Sequence, residues 1–241
     1  MTRPHGLFRT GFPYVKTLGM RRITNFPMAL LTGNDSNLYI LCRGDSLASI
    51  RRLSWKDEDL GSISGYGTMP GELVWPVAIA KDSDGLLYIS DEALHRISSF
   101  TAGGEFIATW GTHGKQDGEL NRPSGIAFDP EDNLYVVDTL NHRIQKFDKY
   151  GKFLTGFGTY GSKPGELNMP WGIAVDELGE VYISDWRNDR IQKFDTAHNY
   201  VSTFGSPGSG DGQFVWAVSM KLDSQERLLI TDEHNHRISI F

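Results

Sequence analysis

The residues of this 241-residue chain with chemistry to offer are seven histidines, a set of regularly spaced acids and arginines, and a scatter of tryptophans. Histidine in such number suggests a metal, since His5, His95, His113, His142, His198, His234 and His236 could all supply imidazole nitrogen. Zinc, however, needs three or four donors that converge. His95, His142 and His236 stand at one recurring position, with Asp189 in the remaining copy, which spreads them apart. His234 is different: its counterparts are Ala93, Leu140 and Arg187, so the repeat does not demand it, and a solvated loop histidine is its plainer reading. Asp129, Asp176 and Asp223 could offer oxygen to calcium, but each follows an apolar run and suits the cap of a tight turn better. Cys42, the only cysteine, excludes an internal disulfide and a cysteine-rich zinc site. No metal ligand set, no cofactor and no catalytic residue is assigned.

A second set repeats too evenly to be one site. Asp91, Asp138, Asp185 and Asp232 are each 47 residues apart, as are Arg96, Arg143, Arg190 and Arg237, and Phe100, Phe147, Phe194 and Phe241. Identity in four copies serves the repeat, so these Asp–Arg couples are read as structural ion pairs across a hairpin mouth, each worth ~0–1 kcal/mol if exposed.

The elements that position these residues follow from the period. In the copy that starts at Pro123, four short apolar segments (125–128, 134–137, 143–147 and 153–156) are separated by turn-forming runs such as Asp129-Pro130-Glu131-Asp132-Asn133. The second segment is apolar at consecutive positions, as expected of a strand buried on both faces. Four antiparallel strands per 47 residues, joined by short links, predict the blades of an all-β propeller. Five copies are placed near 26–66, 75–111, 122–158, 169–205 and 215–241, within a single domain of 1–241. The first copy has a middle loop two residues longer. The last copy lacks a fourth strand, and Tyr14-Val15-Lys16-Thr17-Leu18-Gly19 reads like Tyr200-Val201-Ser202-Thr203-Phe204-Gly205, so strand 14–19 is expected to close the ring. The alternative is a six-bladed ring with one blade missing or divergent.

The pattern Pro-x-Gly-Ile-Ala-x-Asp, Leu-Tyr-x-x-Asp, Asn-His-Arg-Ile-Gln-Lys-Phe from Pro123 to Phe147 resembles the NHL repeat family. So do the links Gly71-Glu72-Leu73, Gly118-Glu119-Leu120, Gly165-Glu166-Leu167 and Gly212-Gln213-Phe214. The resemblance implies a propeller that binds protein or peptide partners. It also reaches, more distantly, the peptidyl-hydroxyglycine amidating lyases, whose zinc histidines would lie near the central channel. The positions taken for the channel mouth, Met28, Val77, Ser124, Trp171 and Ala217, include no such ligand.

Variation between copies concentrates on the face formed by the interblade links and the loops between second and third strands. It gathers Trp186, Arg187, Trp171, Arg122, His142, His234, His236, Arg43, Trp75 and Trp216, the aromatic and arginine types that dominate binding hot spots. Phe26, Trp75 and Trp216 are read first as plugs between blades; Trp186 and Arg187 are read as contact residues. The expected function is therefore a non-catalytic binding or scaffold module for a peptide or protein, with a small molecule as a further kind of ligand. A metal-dependent lyase or hydrolase with its site in the channel is the alternative. RNA binding is disfavoured by a formal net charge of −6. No stretch approaches the ~18 apolar residues of a membrane span, and the N-terminal residues show no leader-like apolar run, so a soluble cytoplasmic protein is expected.

Overall fold

The computed structural model describes residues 17, 18, 24 and 26–241. Five antiparallel sheets stand around a central channel, the arrangement of a five-bladed β-propeller. Blade 1 runs β1 (Pro27–Thr32), β2 (Leu38–Gly44), β3 (Leu47–Leu53) and β4 (Asp59–Ile63). Blade 2 runs β5 (Pro76–Lys81), β6 (Leu87–Asp91), β7 (Arg96–Phe100) and β8 (Phe106–Trp110). Blade 3 has β9 (Pro123–Phe128), β10 (Asn133–Asp138), β11 (Arg143–Asp148) and β12 (Phe153–Phe157). Blade 4 has β13 (Ile173–Val175), β14 (Val181–Asp185), β15 (Arg190–Phe194) and β16 (Tyr200–Phe204). Blade 5 comprises β17 (Ala217–Leu222), β18 (Leu228–Asp232) and β19 (Arg237–Ile240) among the described residues. The expected closing strand, 14–19, lies almost wholly outside them.

The second strands of blades 2 to 4 are buried because each is covered by a blade on either side; all five residues of β6 are out of solvent. Apolar layers consequently form between blades. Leu41, Ile50, Ile79 and Ile89 fill the first interface, Tyr88, Ile97, Ile126 and Val136 the second, Tyr135, Ile144, Ile173 and Ile183 the third, and Ala174, Ile191, Met220 and Ile230 the fourth. Each aliphatic side chain so covered stabilises by roughly 1.5–3 kcal/mol. The free flank of blade 5 has no such cover from the described residues: Ile238 is 62% exposed, whereas Ile97, Ile144 and Ile191 at the same position are fully buried.

Three expectations need correction. The two extra residues of the first copy do not lengthen a loop; they extend the β2–β3 ladder to the pairs Arg43↔Ala48 and Gly44↔Leu47, leaving only Asp45 and Ser46 as the turn. The residue after the repeat proline in blade 5 is Val218, because Ala217 itself takes the proline's place, pairing with Asp232 as Pro76 pairs with Asp91. Phe26 and Trp75 do not plug the ring: they are 72% and 45% exposed.

Candidate functional site at the upper mouth of the channel

The links and the loops between second and third strands share one end of the ring, here the upper face, and the repeat aspartates organise it. Asp138 is fully buried, so the couple with Arg143 is not the exposed pair expected of a hairpin mouth. Its carboxylate accepts from the Asn121 backbone N–H at 2.6 Å, Asn141 Nδ2 at 2.9 Å, Arg143 Nε at 2.8 Å and Gln145 Nε2 at 3.0 Å. Arg143 goes on to donate to the carbonyls of Gln116 and Glu119 in the preceding link. Asp185 with Arg190 and Asp232 with Arg237 build the same arrangement. The first couple departs from it. Asp91 accepts from the Val74 and Trp75 backbone, while Arg96 donates to the carbonyls of Thr68, Met69 and Glu72.

The recurring histidine joins blades. His95 and His142 adopt left-handed backbone, with φ of 53° and 55°, which histidine and aspartate tolerate better than most residues. Their Nδ1 atoms accept the backbone N–H of Arg122 and Met169, both at 3.0 Å, and Asp189 does the same for Trp216 at 3.1 Å. Accepting at Nδ1 needs the neutral ring, and burial lowers the pKa of both histidines below the ordinary 6.5. At the other end of the chain's turns, Asp129, Asp176 and Asp223 each cap their hairpin through two backbone N–H groups.

One residue beyond each repeat aspartate, and beyond Cys42 at the same place in blade 1, the regularity ends. Arg43, Glu92, Thr139, Trp186 and Glu233 occupy this position, one per blade, around the upper mouth. Their backbone is held alike in three blades, where the N–H of Arg43, Glu92 and Glu233 donates to the carbonyl of Phe26, Trp75 and Trp216. Their side chains are not alike. Glu92, buried, receives Arg43 at 3.8 Å and also Arg122, so blades 1 to 3 present two cations on one carboxylate; Arg43 lies over the Trp75 ring at 5.0 Å. Blades 4 and 5 present an aromatic cluster. Trp186 is 5.8 Å from Trp171 and 5.5 Å from Trp216 between ring centroids, Arg187 stacks over Trp186 at 4.3 Å, and His234 meets Trp216 at 3.8 Å. The Trp186 indole N–H is out of contact with solvent and has no acceptor among the described residues. Between the two halves opens a cavity of about 640 Å³, lined from all five blades by residues that include Arg43, Trp171, Val218 and Glu233.

Of the residues expected on this face, the structure thus joins Trp171, Trp186, Arg187, Trp216 and His234 in one cluster and Arg43, Trp75 and Arg122 in another. His142 is engaged in the blade joint, and His236 is exposed on the flank of blade 5, beside Arg237 and Ile238. Sequence reasoning missed Glu92 and Glu233. The signal was present, because a position that takes four residue types in five copies, directly after one that never varies in four, is where a site can be written.

The NHL repeat pattern matches residues 120–147 and 167–194. Blades 3 and 4 carry NHL repeats. No curated protein matches it in sequence. Among solved structures it is similar to virginiamycin B lyase from Staphylococcus aureus (14% identity, 94% of this chain and 72% of that one, TM-score 0.65). A streptogramin B lyase follows (12%, 89% and 65%, TM-score 0.65), and so does a chain of a nidogen/laminin complex (20%, 86% and 72%, TM-score 0.60). At these identities the likeness is one of fold. In the NHL repeats of blades 3 and 4 the matched segments span the link, β9 to β11 and β13 to β15, so they contain the buried aspartate and its arginine but stop short of the fourth strand. No helix among the described residues is long and apolar enough to cross a membrane.

Proposed function

We propose that the protein is a binding module that holds a peptide or protein partner at the upper mouth of its channel. The observation that carries this reading is the ring of Arg43, Glu92, Thr139, Trp186 and Glu233: five equivalent positions that hold four different residue types, set on a frame that is otherwise repeated. The aromatic half supplies the flat, rigid area that anchors a side chain. The cationic half supplies Arg122 at its rim, and Glu233 offers an accessible carboxylate for a basic residue. Support from the comparisons is of the same kind, since one neighbour is a chain from a complex between two proteins. The lyases among the neighbours motivate the catalytic alternative. Against it, the group of acids that could meet on a metal, Asp82, Asp84 and Asp132, is at the lower hairpins, and Lys149 pairs with Asp84 at 2.6 Å there.

The test is a random-peptide display library panned on the whole chain. Peptides that bind wild type and lose at least tenfold in affinity against both Arg187→Glu and Glu233→Lys support the reading. Failure to enrich any sequence, or enriched peptides indifferent to both changes, would remove it.

A further inference from the structure

We propose that the lower half of the channel binds a small amphiphilic carboxylate, its apolar body against Leu30, Phe128, Val175 and Leu222 and its charged head on the ammonium of Lys221. This site is distinct from the upper mouth. A cavity of about 610 Å³ opens there, walled by aliphatic and aromatic side chains of all five blades, and the charged residues lining it among those described are two, Lys81 and Lys221. No acid lines it.

Neither lysine is required by the repeat. At the position of Lys221 the other blades carry Leu31, Ala80, Ala127 and Ala174; at that of Lys81 they carry Thr32, Phe128, Val175 and Leu222. Two departures, from blades that are not neighbours through the described interfaces, therefore place cations in the same apolar space. Lys81 Nζ is engaged by a neutral acceptor, Asn34 Oδ1, at 2.6 Å. Lys221 has no hydrogen bond or ion pair among the described residues, and it lines both the upper and the lower cavity, which puts it at the waist of the channel. Its side chain is exposed to the open channel yet enclosed by the surrounding blades, and that enclosure first, with the Lys81 ammonium second, lowers its pKa below the ordinary lysine value. An ammonium that faces the channel between apolar walls with no carboxylate beside it is free to pair with an anion that enters.

The ligand's class follows from the walls. A phosphate or sulfate is normally met by arginine forks or several backbone N–H groups, and this cavity has neither among its lining side chains. One free ammonium with a second at the rim fits a single negative charge, and the apolar walls fit a short hydrocarbon or aromatic body. Ligands of this kind are usually fixed by few polar groups, so Lys221 would set both affinity and orientation.

Titration calorimetry with octanoate on the whole chain tests the assignment. The expected result is about one equivalent bound, an affinity at least tenfold weaker in Lys221→Met, a smaller loss in Lys81→Met, and weaker binding of octanol than of octanoate to wild type. Thermal melts of both variants confirm folding, and octylamine supplies a measurement without any substitution: wild type should prefer octanoate to it by tenfold or more. No saturable octanoate binding, equal affinity in wild type and Lys221→Met, or equal affinity for octanoate and octylamine would overturn the proposal. So would inorganic phosphate competing as strongly as octanoate.

Discussion

Two neighbouring positions of the repeat behave in opposite ways. The aspartate that ends the second strand makes the same backbone contact with the preceding link in four blades, whereas the next residue is arginine, glutamate, threonine, tryptophan or glutamate again. The first is buried and gathers its donors around it; the second, whose backbone N–H is held by the frame in blades 1, 2 and 5, stands at the channel mouth. The difference teaches that a repeat scaffold can separate what it needs from what it offers within a single peptide bond, because backbone hydrogen bonds do not depend on the side chain they carry.

Breaking the invariant position should have the largest effect. Asp138→Ala strands the Asn121 N–H and the Arg143 Nε–H, takes one acceptor from the Gln145 and Asn141 amides, and leaves the Arg143 cation without its buried counter-charge, so urea unfolding is expected to show a loss of about 3–5 kcal/mol. Asp91→Ala should cost less, because Arg96 keeps its three carbonyl acceptors whether or not the aspartate is present. Equal losses at the two sites would undo the claim that the Asp–Arg bond matters in the later blades.

At the mouth, Trp186→Ala removes an indole packed between two others, and a loss of about 2 kcal/mol is expected, a part of the range for fully buried aromatics. Arg187→Glu and Glu233→Lys, both accessible, should stay within about 0.5 kcal/mol of wild type in the same assay. A large destabilisation by either would move the mouth into the frame and erase the contrast. His142→Ala should cost about 1 kcal/mol by leaving the Met169 N–H without its acceptor, and His142→Asp, which copies Asp189, should recover most of it.

The smallest effect is one of pH. His95 and His142 have folded pKa values below the ordinary 6.5, so the unfolded chain takes up protons before the folded one does. Their contribution to stability is complete above pH 6.5 and is lost as the pH falls from there through the lowered folded values. Melting temperature should drop across that window, and the drop should shrink in His142→Asp; an unchanged pH profile in that variant would count against the neutral-ring acceptor.

Much of the frame could be read from the chain because it is written four times. Strand order, hairpins, links and the capping roles of Asp129, Asp176 and Asp223 all follow from spacing and turn chemistry. What escaped the sequence was whatever depended on a single copy or on burial. Ala217 standing in for proline shifted the register at the mouth by one residue. The burial of Asp138 and its equivalents could not be seen, since a carboxylate beside an arginine reads as a surface pair until the link folds over it. Glu92 was overlooked although the variability of its position marked it, because only the ring shows Arg43 and Arg122 reaching it from both sides. The tilted and edge-on packing of Trp171, Trp186 and Trp216 likewise needs blades 4 and 5 side by side.

The joints made by His95, His142 and Asp189 all run one way, from a side chain in one blade to a main-chain amide in the next. The amides of Arg122, Met169 and Trp216 are therefore natural reporters, each sensitive to the parting of one specific pair of blades. Followed by deuterium exchange, they would tell whether the ring opens as a whole or peels apart blade by blade.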